Sequence, residues 1–494
     1  MKKITIVALV LILVLVVAPW GIGQLAEQRV NAGLDRLVEQ APYLTIAERK
    51  WTRGWFRSEQ EVTFEMFAPW ASALQAANAN SDEVAAAAAA ADAVPPPAET
   101  GSPPAAPVEP IRFKVHNEIL HGPVLWPASL GIARINTRFE LDARTRQKIV
   151  EVFGSEDPVR ISTRVGFFGG GTTRLYGDGR TIQARNGKGS LKYSDYQLDV
   201  SYSGHLDHVD LDGSWPQLEI LPVEGGSVLV DDVSLVSRNE RILGDLYDTD
   251  LRLRVDSVRV LGPDKSEMKI DGVHYLVDTR FDKDFLDVSA KFGSDQVKSK
   301  ELEEMKLDLD EVHYDFTVRH LHVKTLAQMY TTLRQMYARP VSTPTDLNAA
   351  MLAPLRQQGA ELLKYDPELV FDRIGVSTPD GDGYIRGTLR LKGATAQDLE
   401  MGFMALIGRL EADITIEVAQ KLIEKIPSGA TSAGAAVDAG YATREGGKLV
   451  SHIEFKRGEL KVNGKAQGFP GLGGPPAAAE GMPPQGDVPA GPQE

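Results

Sequence analysis

The chain has no cysteine in 494 residues. That absence excludes disulfide staples, a lipid-modified N-terminal cysteine, a cysteine nucleophile and a zinc site built on thiolates. Aromatic residues are sparse at 7%, so aliphatic burial must supply most of the core. Basic charge is also short: 54 Lys and Arg stand against 68 Asp and Glu, a formal net charge of -14. Phosphate binding needs a dense basic face, so the balance argues against a nucleic-acid partner. It also disfavours broad electrostatic contact with an anionic bilayer, and its plain consequence is solubility. Catalytic signatures are missing as well. No Gly-x-Ser-x-Gly elbow occurs, and Gly169-Gly170-Gly171 is not followed by the Lys-Ser/Thr pair of a phosphate-binding loop.

What is present begins with one apolar run, Ile4 to Ile22, preceded by Lys2 and Lys3 and followed by no charge before Glu27. At 1.5 Å per helical residue the run just crosses a hydrocarbon core of roughly 30 Å. Trp20 stands at its far end, where an indole favours the headgroup level. A charged start and an apolar core also describe a secretory signal peptide. Ala18, the nearest small residue for cleavage, is followed by Pro19, and Gly21 and Gly23 fit the cleavage pattern poorly. The expected arrangement is therefore an uncleaved, single-pass anchor, with both lysines in the cytoplasm and everything after Gly23 exported. Residues 1–22 are the anchor and 23–75 a juxtamembrane helix with the first strands. Residues 76–110 are a flexible Ala/Pro-rich insertion, 111–466 a β-rich body and 467–494 a disordered Gly/Pro/Ala tail.

Gln24 to Gln40 continues a helical pattern that lifts the body away from the membrane, and Pro42 ends it. Around Gly54, the residues Trp51, Trp55 and Phe56 suit a core bulge better than a ring- or lipid-binding site. Alternation then dominates, for example Val159, Ile161, Thr163 and Val165 against Arg160, Ser162 and Arg164. A period of two with charges at the alternate positions predicts antiparallel sheet with one face buried and one wet. Some runs change phase. Val255 gives way to Val258 and Val260, and Leu309 to Val312, Tyr314, Phe316 and Val318. Each switch predicts a bulge or a strand passing between sheets. Leu326, Met329, Tyr330, Leu333, Met336 and Tyr337 form an amphipathic helical face that suits the capping of an open sheet end. Leu347 to Leu363, interrupted by Pro354, Asp398 to Leu410 and Val418 to Ile426 are further helical candidates. The fold expected is mainly β with some α: a large curved antiparallel sheet or sandwich-like body, with helices near 324–363 and 398–426.

No residue set commits to chemistry. His205, Asp207 and His208 gather only if a bulge brings them together. His320 and His322 share a strand face with no third ligand nearby. Asp231-Asp232 and the acidic pairs in 301–311 are carboxylates in a chain that holds 68 acids. No catalytic, cofactor-binding or metal residue is assigned, and no cofactor is expected.

The anchor, Arg53-Gly54-Trp55-Phe56-Arg57-Ser58, His121-Gly122-Pro123-Val124 and Leu460-Lys461-Val462-Asn463-Gly464 together resemble the YdgA-like family of bacterial inner-membrane-anchored envelope proteins of unknown function. The resemblance implies a periplasmic domain on the inner membrane of a Gram-negative cell and carries over no site residues. The function expected is a non-catalytic envelope scaffold or binding protein, with lipid handling its sharper form. That form requires a continuous apolar groove long enough for an acyl chain. The alternatives are an envelope glycan or lipid hydrolase, and an assembly partner working through the C-terminal helices.

Overall fold

A computed structural model describes residues 2–41, 44–66, 111–122, 124–125, 129–140, 150, 159–183, 189–222, 225–337, 357–401 and 403–467. The side chains of residues 2–20, the insertion at 76–110 and the tail from 468 lie outside the described residues. The first helix, α1, runs from Lys2 to Gln40. Among the described residues no helix is long and apolar enough to cross a membrane.

Strands follow in chain order. They are β1 (Leu44–Thr52), β2 (Arg57–Met66), β3 (Ile111–His121), β4 (Val124–Leu125), β5 (Ser129–Leu130), β6 (Ala133–Glu140), β7 (Arg160–Val165) and β8 (Gly171–Gly177). Next come β9 (Arg180–Gln183), β10 (Ser190–Tyr193), β11 (Tyr196–Tyr202), β12 (His208–Leu221), β13 (Ser227–Leu243), β14 (Leu246–Leu261), β15 (Glu267–Asp282), β16 (Phe285–Ser294) and β17 (Gln296–Ser299). Helix α2 (Lys300–Glu304) leads to β18 (Glu311–His322) and α3 (Val323–Tyr337). After β19 (Glu368–Ser377) and β20 (Gly383–Leu391) stand α4 (Ala396–Met401) and α5 (Phe403–Ile407). The chain closes with β21 (Leu410–Ala419), α6 (Gln420–Lys425), α7 (Gly429–Asp438), β22 (Thr443–Glu445), β23 (Lys448–Lys456), β24 (Glu459–Val462) and β25 (Lys465–Gln467).

All of these strands but β4 and β5 join one 23-stranded sheet. Each strand pairs antiparallel with the next long strand of the chain, so the fold is a meander in a single layer, not a sandwich. Several short strands are halves of longer ones. Tyr196 pairs with Gly177 and Tyr193 with Arg180 in one unbroken register, so β8 with β9, and β10 with β11, form one long hairpin. In the same way β16 and β17 both pair with β15.

The phase switch at Val255 belongs to a feature shared by neighbouring strands. The β12–β13 ladder passes over Pro216 and Asp232, the β13–β14 ladder over Asp232 and Asp256, and the β14–β15 ladder over Asp256 and Gly272. Asp232 and Gly272 take φ values of +48° and +63°, a left-handed turn that Asp and Gly tolerate better than branched residues. Each strand thus carries one extra residue on a common transverse line. The inward set changes from Leu251, Leu253 and Val255 to Val258 and Val260 without any slip between strands. The switch after Leu309 is different: Leu309 bridges Val297 outside the strands, and β18 begins afterwards.

Three expectations are corrected. The second half of α1 does not hold the body away as a spacer; it packs onto the sheet. Ala26 and Val30 are buried against Ile119, Ile135 and Val165, while Leu34 and Val38 pack on Leu44, Val62 and Val115. Trp55 and Phe56 are exposed in the β1–β2 turn, leaving only Trp51 of that trio against the core, because Gly54 turns the chain tightly against the Arg57 carbonyl. Of the late helices, Asp398 to Leu410 is split into α4 and α5 before β21 begins, and Val418 is still in β21. Residues 338–356, with Pro354, lie outside the described residues, and 357–363 are helical. Helix α3 lies across strand ends: Val323 N–H donates to Asp284 O at 2.9 Å, and Arg334 pairs with Asp245 at 2.5 Å.

Two glycines of α1 give opposite expectations. A Cβ on Gly23 would sit 2.7 Å from the His121 ring, whereas one on Gly33 meets nothing within 4 Å. Gly33→Ala should stabilise the fold by up to about 1 kcal/mol through helix propensity. Gly23→Ala should destabilise it by about 1–3 kcal/mol through overpacking, in spite of the same propensity gain. Chemical denaturation midpoints of the two variants check the pair, and shifts of the same sign would refute the docking of α1.

Candidate functional site

Directly opposed residues in a sheet share a face, so the register defines rows that run across the strands. One row begins at Ser58 and passes through Ile119, Ile135, Thr163, Thr173 and Val200. It continues through Leu211, Ser237, Leu251, Val277, Ala290 and Phe316. It ends through Phe371, Gly387, Ile414, Ile453 and Val462. None of these seventeen positions, one per strand, is charged, in a chain that is 25% charged. The neighbouring row holds Leu175, Leu198, Leu235, Leu253, Tyr275 and Phe292, and it too has no charge from Gln60 to Ser451. A third, through Val165, Tyr202, Val209, Val288, Val318 and Leu369, flanks the first on its other side. Sixteen strand spacings of about 4.8 Å make the stripe about 77 Å long, measured along the sheet.

The other face is the opposite in character. There Arg174, Asp199 and Asp212 stand in one row, with Arg174 and Asp199 joined by hydrogen bonds of 2.7 and 2.9 Å. Lys291, Asp315 and Arg373 continue it. Water solvates this side. The stripe is not fully covered: Tyr275, Phe292 and Tyr314 remain 39, 47 and 48% exposed.

Helix α1 roofs the start of the stripe and leaves a cavity of about 470 Å³ beneath it, within the roughly 300–1,000 Å³ of small-molecule pockets. Leu34, Phe64, Phe113, Ile135, Phe139 and Val165 supply apolar walls. Thr173 and Tyr202 place its inner side on the stripe rows, so cavity and stripe share one face. Burial pushes the Tyr202 phenol up from its ordinary value, so it stays neutral there. Arg29 and Arg36 stand at the rim. Arg36 Nη1 donates to Gly204 O at 2.6 Å, and among the described residues neither arginine is in an ion pair.

Polar side chains fix the roof. Gln60 Nε2 donates to Asn31 Oδ1 at 2.9 Å, Asn117 Nδ2 to Gln60 Oε1 at 2.9 Å and Thr137 Oγ1 to Asn117 Oδ1 at 2.8 Å. Ser58 and His121 share a hydrogen bond of 3.0 Å next to Gly23. The pair is closed in under α1, with Ser58 1% and His121 3% exposed. The hydrogen bond ties β2 to the end of β3 beneath the helix.

The histidine candidates go elsewhere. His205 is exposed in the β11–β12 turn and His208 at the start of β12, with no third ligand brought to them among the described residues. His320 and His322 flank Phe285, and His322 stacks on Tyr365 at 4.0 Å, so both serve an aromatic cluster. Asp231 accepts from Gln217 and Ser257 within the sheet. Asp413, His452 and Glu454 do converge, at an exposed place with no sequence signal beyond ordinary strand alternation. The roof network leaves no local signal in the sequence, because Asn31, Gln60, Asn117 and Thr137 meet only through tertiary packing.

The site is thus an apolar chamber under an N-terminal helix, set on the uncharged rows of a large antiparallel sheet. The chain belongs to a bacterial family of unknown function, DUF945, whose profile matches residues 1–467. Comparisons with curated proteins and with solved structures find no match.

Gln60→Leu would take the partner from Asn31 Oδ1 and from Asn117 Nδ2 under the roof, and Gln60 is fully buried. A loss of about 1–3 kcal/mol for each group left unsatisfied is expected. Equilibrium unfolding measures it, and a neutral result would show that the network does not hold α1.

Proposed function

We propose that this protein is a non-catalytic lipid-handling protein of the bacterial envelope. Residues 4–22 hold it in the inner membrane as a single-pass anchor, and the sheet stands in the periplasm. The stripe carries this reading: rows without charge cross seventeen strands on one side of an otherwise heavily charged sheet. A monomeric soluble sheet rarely leaves such a surface uncovered. One leaflet of a bilayer is about 15 Å of hydrocarbon, so acyl chains fit within the stripe's length several times over. Arg29 and Arg36 at the chamber rim suit the acidic headgroup of a chain lying beneath α1.

Site-specific photo-crosslinking in living cells tests the proposal. A photoreactive residue at Leu253, on the stripe, should form lipid adducts; the same residue at the adjacent Arg252, on the charged face, should not. Equal labelling at both sites, or adducts at neither, would refute it. Arg29→Glu with Arg36→Glu should lower recovery of acidic phospholipids with the purified chain several-fold relative to zwitterionic ones, measured by mass spectrometry of extracted lipid.

A further inference from the structure

We infer that one edge of the sheet, formed by the β1–β2 and β7–β8 turns, lies on the bilayer surface with its aromatic side chains in the headgroup layer. The inference rests on the anchor reading above, and it adds an orientation that the anchor alone does not give.

Both turns lie at the same strand ends. Val165, just before the β7–β8 turn, pairs with Ala133, which pairs with His121. The His121 N–H donates to Phe56 O in the β1–β2 turn at 2.9 Å. These turns display large apolar side chains to solvent: Phe168 is 94% exposed, Phe56 57% and Trp55 50%. Folding gains nothing from Phe168 in that position, and an exposed ring on a hairpin turn invites aggregation unless something apolar receives it.

Helix α1 leaves the sheet at this edge. Gly23 lies against His121, at the end of β3, so the helix from Lys2 to Ile22 projects beyond the strand ends. Both turns lie against α1 just past that point, the first of them bonded to it. Arg53 pairs with Glu27, and a Cβ on Gly169 would lie 3.2 Å from Arg29 Nη1. Glu27 and Arg29 follow Ile22 by five and seven residues, about 8 and 11 Å along the axis at 1.5 Å per residue. A headgroup layer is about 5–8 Å deep on each side, and aromatic rings favour it. Glu27 and Arg29 thus stand at and just beyond the outer limit of that layer when Ile22 marks the hydrocarbon boundary, and Phe168, Phe56 and Trp55 on the turns beside them need extend only a few Å to enter it. The chamber beneath α1 reaches this same edge through Gly169 and Leu206.

The chain has no cysteine, so a single introduced one is a unique label site. Phe168→Cys and Phe56→Cys mark the proposed edge, and Lys265→Cys, in the turn between β14 and β15, marks the opposite strand ends. Full-length variants carrying an environment-sensitive fluorophore are reconstituted in vesicles of phosphatidylethanolamine and phosphatidylglycerol, with or without nitroxide-bearing lipid. Loss of fluorescence to nitroxide lipid at 168 and 56, with none at 265, is the expected result. No loss at 168 and 56 in protein that resists carbonate extraction overturns the edge while leaving the anchor standing. Release of the protein by carbonate removes the anchor reading, and the edge with it.

Discussion

Pairing register is the constraint on which the rest depends. Because successive strands meet antiparallel in a register that bulges interrupt at only a few places, a side chain's face is decided across most of the sheet at once. Charged residues collect on one side and uncharged ones on the other, across seventeen strands. A layer with such a face is not self-sufficient in water, and among the described residues the other sheet is only the two-stranded β4–β5. Its covering must come from helices of the same chain or from apolar material outside it.

The chain supplies part of that cover. The second half of α1 closes the first strands, and Leu302, Met305 and Leu422 close on Val376 and Val418 at the far side. The roof over the first strands is held by amides and hydroxyls as well as by aliphatic contact. Buried amides demand exact partners, so they select one placement of the helix where greasy contact alone would allow several. That selectivity keeps a chamber open under α1 in place of a collapsed core.

Much of the sheet was legible in the sequence. Alternation such as Ile161, Thr163 and Val165 against Arg160, Ser162 and Arg164 reports a half-buried strand directly, and the switch from Val255 to Val258 marked a real irregularity. What stayed hidden was relational. No single strand reveals that its uncharged positions line up with those of sixteen others, because register depends on turn lengths as well as on pattern. The second half of α1 misled for a similar reason: Leu34, Leu37 and Val38 show an apolar face, yet nothing local says whether it meets a sheet or continues outward. Trp55 and Phe56 are residue types that favour a core, but the turn at Gly54 carries them out.

The shared line through Pro216, Asp232, Asp256 and Gly272 has a further consequence, for how such a chain can change over generations. Losing one residue there from a single strand would rotate half of that strand and bring ionic groups onto the greasy side. Losing one from every strand together would restore harmony. Length at that line is a property of the ensemble of strands, and a lineage can alter it only in concert.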